Sequence, residues 1–161
     1  MLEIKNIINH KSVAELMKTI QGRELPLISE TASIEDIVDY MVRFERDRLL
    51  YVVDKENKLL GTISLGVLMR HVFCATHEPQ VHSRFLISLI TVQTAAEIMQ
   101  KNPLTTNREE KLADLLQKMI KSNVKEIPVL DNQDRVIADL TIIDLLRFVS
   151  PSKNLQKKSP E

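Results

Sequence analysis

At 161 residues, 43% hydrophobic and 27% charged, the chain is long and apolar enough to bury one continuous core without disulfides or a structural metal. Lysine plus arginine (22) balances aspartate plus glutamate (22), so no net field draws it to nucleic acid or to an anionic membrane. Its three glycines are scattered, which excludes Rossmann and P-loop phosphate cradles, and its one cysteine, Cys74, excludes an internal disulfide and fits a reducing, cytoplasmic setting.

Met1 to His10 alternates apolar and polar residues and lacks the apolar h-region of a secretory signal. Ser12-Val-Ala-Glu-Leu-Met17 opens with a hydroxyl followed three places later by glutamate, a capping box that predicts a short helix. Ile34, Ile37, Val38, Met41 and Val42 recur at i, i+3, i+4, i+7 and i+8, predicting an amphipathic helix on a core with Glu35, Asp36 and Asp39 turned away. Leu49 to Asp54 and Leu59 to Ile63 flank the polar turn Lys55-Glu-Asn-Lys58 and predict two strands. Ser64 then caps a helix that runs to Arg70.

Beyond it, His71, Cys74, His77 and His82 gather three of the four histidines and the sole cysteine. Imidazole and thiolate suit zinc, yet the spacing matches no zinc-site pattern, and the expectation is an exposed helix end without metal. The apolar run Phe85 to Val92, interrupted by Ser88 and Thr91, is too short to span a bilayer, so no membrane insertion is expected.

From Thr94 the same elements return in the same order. Thr94-Ala-Ala-Glu-Ile-Met99 repeats the first capping box; Leu112, Leu115, Leu116, Met119 and Ile120 repeat the helical face. Glu126-Ile-Pro-Val-Leu-Asp131, the turn Asn132-Gln-Asp-Arg135 and Val136 to Leu140 repeat the strands, and Thr141 to Arg147 the final helix. The chain therefore divides into a first repeat at 12–72, an insert at 73–93, a second repeat at 94–149 and a polar tail at 150–161 expected to be mobile. One repeat covers only one face of its small sheet. The predicted fold is thus α+β, two repeats packed about a pseudo-twofold axis, each a small sheet with amphipathic helices.

Over about Ser12 to Val149 this ordered set resembles a tandem pair of CBS domains, a Bateman module. Asn123-Val-Lys-Glu-Ile-Pro-Val-Leu-Asp131 and Asp139-Leu-Thr-Ile-Ile-Asp144 carry the resemblance best. It implies a non-catalytic regulatory module that binds an adenosine nucleotide (AMP, ADP or ATP) between the repeats. It also implies energy sensing passed to an effector protein in trans, and a homodimer; beyond the regulatory nucleotide no cofactor is implied.

The family's glycine, hydroxyl, aspartate motif reads Gly61, Ser64, Val67 in the first repeat and Ala138, Thr141, Asp144 in the second, complete in neither. A carboxylate can accept both hydroxyls of a ribose, so Asp144 marks the second repeat and Val67 disqualifies the first; one site per chain is expected. The Thr141 hydroxyl and the free amides of its helix suit a ribose or phosphate oxygen. Around them the resemblance places Ile127 and Pro128 as walls for adenine, Lys125 near phosphate, and Thr105 and Thr106 at the entry, with Ser64 and Arg48 as further candidates.

Blander readings stand beside these. Thr141 and Asp144 also spell an ordinary capping box, Lys125 a solvated lysine and Pro128 an edge-strand residue. Two incomplete motifs leave open a ligand-free scaffold. For an enzyme there is neither a G-x-S-x-G elbow nor an H-E-x-x-H pair.

Overall fold

The computed structural model describes residues 2–44, 48–77 and 94–150, with side chains at 5–44, 48–72 and 94–150. In chain order they form α1 (Leu2–His10), α2 (Val13–Met17), a 3-10 turn (Lys18–Ile20), β1 (Leu27–Ser29), α3 (Ile34–Arg43), β2 (Leu49–Val53), β3 (Leu59–Ser64) and α4 (Leu65–His77). There follow α5 (Ala95–Ile98), β4 (Gln100–Lys101), β5 (Thr106–Asn107), α6 (Leu112–Lys121), β6 (Glu126–Leu130), β7 (Val136–Thr141) and α7 (Ile142–Val149). The last helix of the first repeat thus runs on past Arg70. The rest of the insert, and the tail beyond Ser150, lie outside the described residues.

The strands make two small sheets, ordered β1-β2-β3-β4 and β5-β6-β7. In each, a parallel pair is joined by an amphipathic crossover helix, α3 or α6, and an antiparallel hairpin follows. Both hairpins turn alike. Asp54 Oδ1 accepts the amides of Glu56 and Lys58, Asp131 Oδ1 those of Gln133 and Arg135, and Asn57 (φ 62°) and Asp134 (φ 60°) take the left-handed conformation that Asn and Asp tolerate. This is why each strand run ends at an aspartate.

The cores do not follow the repeat boundaries. Val13 and Leu16 of α2 are fully buried among Leu112, Leu115, Ile127 and Leu140 of the second repeat, while Ala95 and Ile98 of α5 pack with Ile37, Leu50 and Ile63 of the first. The two entry helices are exchanged. Backbone hydrogen bonds repeat the exchange in both directions: Val13 and Ala14 donate to the carbonyls of Glu110 and Arg108, Ala95 and Ala96 to those of Ala32 and Glu30. Each helix offers only two buried apolar residues, and its sequence says nothing of which sheet they will cover.

A third cluster, Tyr51, Val53 and Val136, lies between the sheets, where Leu59 N donates to Asp134 O and Val136 N to Asn57 O. There the hydroxyl of Tyr51 donates to Asp139 Oδ1 across the pseudo-twofold; both residues are buried.

The predicted helical faces hold except at their last position. Val42 and Ile120 are 71% and 74% exposed. Eight residues at 100° each carry a side chain about 80° past its starting direction, enough here to leave the core stripe. Among the described residues no helix is long and apolar enough to cross a membrane.

Candidate ligand cleft

After α2 the chain crosses the outer edge of β7. Gly22, at φ 80°, supplies the left-handed turn that this path needs. The next residue is Arg23. Its guanidinium grips Asp144 with both terminal nitrogens, Nη1 to Oδ2 at 2.8 Å and Nη2 to Oδ1 at 2.6 Å, and Nη1 also reaches the carbonyl of Asp139 at 3.3 Å. An element of the first repeat is thereby fastened to the last helix of the second.

Asp144 is 3% exposed. Oδ2 accepts the amide (3.0 Å) and hydroxyl (2.8 Å) of Thr141, whose Oγ1 in turn accepts the Asp144 amide at 3.2 Å. The capping box is therefore real. Burial alone would raise the pKa of this carboxyl, but the hydrogen bonds from Arg23 and Thr141 outweigh it and hold the group below the ordinary aspartate range. Asp144 is an ionised carboxylate with Oδ2 shared between its own helix and Arg23 and Oδ1 held by Arg23.

Three cavities have Arg23 in their walls. One of about 380 Å³ has a mixed lining, with Met17, Ile20, Leu25, Ile137 and Ala138 on its apolar side and Lys18, Gln21, Arg108 and Asp139 on its polar side. A second, about 490 Å³, gathers Arg48, Lys125, Arg147, Glu126 and Thr141 with Asp144. The third is about 160 Å³ and is lined by Thr19, Phe148, Arg147 and Asp144. The first two fall within the range that small-molecule sites occupy.

Of the residues expected from sequence, Thr141, Asp144, Lys125 and Arg48 are brought together in the second cavity. The others are elsewhere. Ile127 is fully buried in the core, and Pro128 is buried on β6 opposite Asp139; neither lines these cavities. Thr105 and Thr106 belong at the far edge of the sheet from β7, where the Thr106 hydroxyl donates to Glu110 Oε2 (2.6 Å) and the Thr105 carbonyl accepts Lys118 Nζ (3.0 Å). The exchange of entry helices explains the correction: the entry segment facing Asp144 comes from the first repeat. Arg23 and Arg147 were missed. The only hint of Arg23 was a lone glycine before it, in a stretch where the two repeats lose register.

The corresponding place in the first repeat is built differently. Ser64 Oγ accepts the amide of Val67 and caps α4. Beside it, a Cβ on Gly61 would lie 2.7 Å from the Gln100 carbonyl and 2.8 Å from Met99 Sδ, because β4 pairs with β3 there. The counterpart of β4 after α2 is the 3-10 turn Lys18–Ile20, which leaves β7 unpaired on that edge and Ala138 facing the first cavity. Of the histidine and cysteine cluster, His71 Nδ1 lies 3.0 Å from the Val67 carbonyl; the side chains of Cys74 and His77, and His82 entirely, fall outside the described residues.

A family model described as CBS domain matches residues 13–73 and 95–151. Protein RP505 of Rickettsia prowazekii is 30% identical over 138 residues, covering 86% of this chain and 38% of its own. The chain spans 26–38% of the length of the curated relatives it matches. Among solved structures, CBSX2 in complex with AMP superposes with a TM-score of 0.63 at 21% identity, covering 76% of this chain and 85% of that one. The CBS domain pair of protein MJ0100, in complex with 5′-methylthioadenosine and S-adenosyl-L-methionine, gives 0.63 at 21% identity, covering 85% and 94%. With both of its repeats matched by the family model and its fold shared with these structures, the chain belongs to the CBS-domain family as a tandem pair.

Proposed function

We propose that this CBS pair is a non-catalytic regulatory module that binds one adenosine nucleotide per chain in the cleft between residues 18–25 and β7–α7. The reading rests on one observation: Arg23 forms the wall common to a cavity of about 380 Å³ and a basic cavity at a helix N-terminus, and the buried, ionised carboxylate of Asp144 lines the second of them on that side. The base fits the first cavity against Met17, Ile20 and Ile137, the ribose meets Oδ1 of Asp144, and phosphate faces Thr141, Lys125 and Arg48. The AMP complex of CBSX2 and the adenosyl complexes of MJ0100 support that ligand class.

Both repeats contribute walls, so a ligand that touches both biases their arrangement by as much as it prefers one over another. That bias is the signal to an effector in trans, in the cytoplasm. The exposed Val42 and Ile120, at equivalent positions of α3 and α6, together with Met69 on α4 and Leu146 on α7, support self-association as a homodimer.

Titration calorimetry with AMP, ADP and ATP should show one site per chain. Asp144→Asn, which keeps a capping oxygen, should weaken it by about 1.5–3 kcal/mol, the range for a hydrogen bond to a charged group. Absence of heat with all three nucleotides overturns the reading. The full engagement of Asp144 by Thr141 and Arg23 favours a second one, a scaffold that takes no ligand. A melting temperature unmoved by saturating nucleotide would favour it, since a ligand of the folded state must raise apparent stability.

A further inference from the structure

We propose that Arg23 decides which adenosyl compounds the cleft accepts, by occupying Asp144 as a built-in competitor of the ribose and yielding it to ligands that carry phosphate. The inference rests on the functional reading above and names the ligand class within it.

The ligand-free arrangement is a closed ion pair. Two parallel N–H···O contacts tie the guanidinium to both carboxylate oxygens, and the Arg23 side chain is 29% exposed. Thr141 keeps Oδ2 whether or not Arg23 is present, so Oδ1 is the oxygen a sugar hydroxyl must win. Winning it lifts a half-buried guanidinium off its counterion. What the ligand offers in exchange then sets affinity.

A phosphate matches the guanidinium fork as well as a carboxylate does and can take it over with its charge still compensated. A neutral nucleoside offers no charge in exchange for the carboxylate oxygen it takes. A sulfonium such as S-adenosylmethionine adds a like charge beside the guanidinium.

The surroundings deepen the contrast. The 490 Å³ cavity sets Arg23, Arg48, Lys125 and Arg147 against Glu126 and Asp144. Among the described residues no salt bridge holds Arg48, Lys125 or Arg147. With four cations against two carboxylates, the cavity carries an excess of fixed positive charge, before and after a ribose binds Asp144, that an anionic ligand offsets.

The test is titration calorimetry of the full chain, wild type and Arg23→Ala, with AMP, adenosine and S-adenosylmethionine. For the wild type the expected order is AMP tightest, then adenosine, then S-adenosylmethionine, with AMP ahead of adenosine by about tenfold or more. In Arg23→Ala adenosine should bind tighter than it does to the wild type, and the preference for AMP over adenosine should shrink by about tenfold. Arg23→Gln, which keeps two donors but no charge, should follow Arg23→Ala and serves as a second variant. The ratio between ligands is internal to each variant, so a loss of folded fraction does not imitate the effect. An unchanged ratio, or adenosine and AMP weakening in parallel, overturns the role of Arg23 and leaves the nucleotide site standing. No binding of any of the three by either the wild type or the variants overturns the site and the selector together.

Discussion

Replacing Tyr51 by phenylalanine removes a single oxygen from the junction of the two sheets. Tyr51 is fully buried on β2, and its hydroxyl donates to Asp139 on β7, which is 1% exposed. Leaving a buried acceptor without that donor costs about 1–3 kcal/mol. The ring stays, so no cavity term adds to it. In a protein of this size each kcal/mol lowers the melting temperature by about 2–4 °C, and the expected drop is about 2–12 °C. Urea denaturation should give the same loss of free energy with an unchanged slope. Tyr40 is the internal control. It is half-buried, 6.3 Å from the Phe44 ring centroid on its own helix, and Tyr40→Phe should stay within about 0.5 kcal/mol. If Tyr51→Phe is equally silent, or Tyr40→Phe costs as much, the hydroxyl does not join the repeats in the way described.

Gly61→Ala should destabilise by about 1–3 kcal/mol in denaturant titrations, because its Cβ meets the Gln100 backbone and must push β4 from β3. Gly66→Ala, with nothing nearer than 3.9 Å and a helical position in α4, should be neutral or gain up to about 1 kcal/mol. On acidification, the depressed pKa of Asp144 means that its contribution to stability is complete above the unfolded value of about 3.9 and is lost as pH falls through the lower folded value. Thermal melts from pH 7 down to 2.5 should therefore show a steeper decline for wild type than for Asp144→Asn. Val42→Glu with Ile120→Glu should convert the proposed homodimer to a monomer in sedimentation velocity with little loss of stability, since both positions are largely exposed within one chain.

The duplicated architecture was legible because its elements rest on local signals: hydroxyl-glutamate caps, apolar residues at helical spacing, and aspartates that close hairpins. Asp144 was legible for a similar reason, since only one repeat carries a carboxylate at that place. Arg23 was not, because its importance arises from a contact spanning 121 positions, and nothing near it in the chain marks the partner. Thr105 and Thr106 lie at the opposite edge of the sheet from the cavities around Asp144, because the exchange of entry helices, which no local signal announces, brings residues 18–25 there instead. The exposure of Val42 and Ile120 shows the limit of periodicity, which finds a stripe but not where the supporting surface stops.

The crossed-over α2 and α5 bear on how the protein can come apart. Each half has lent the other a piece of its interior, so neither can melt without uncovering apolar side chains in its neighbour. Unfolding is expected as one cooperative transition in place of two, and a fragment ending before Thr94 would lack the plug for its own sheet while exposing one meant for another. The same mutual dependence makes the junction a poor place to absorb disturbance locally: a ligand wedged there acts on both halves at once.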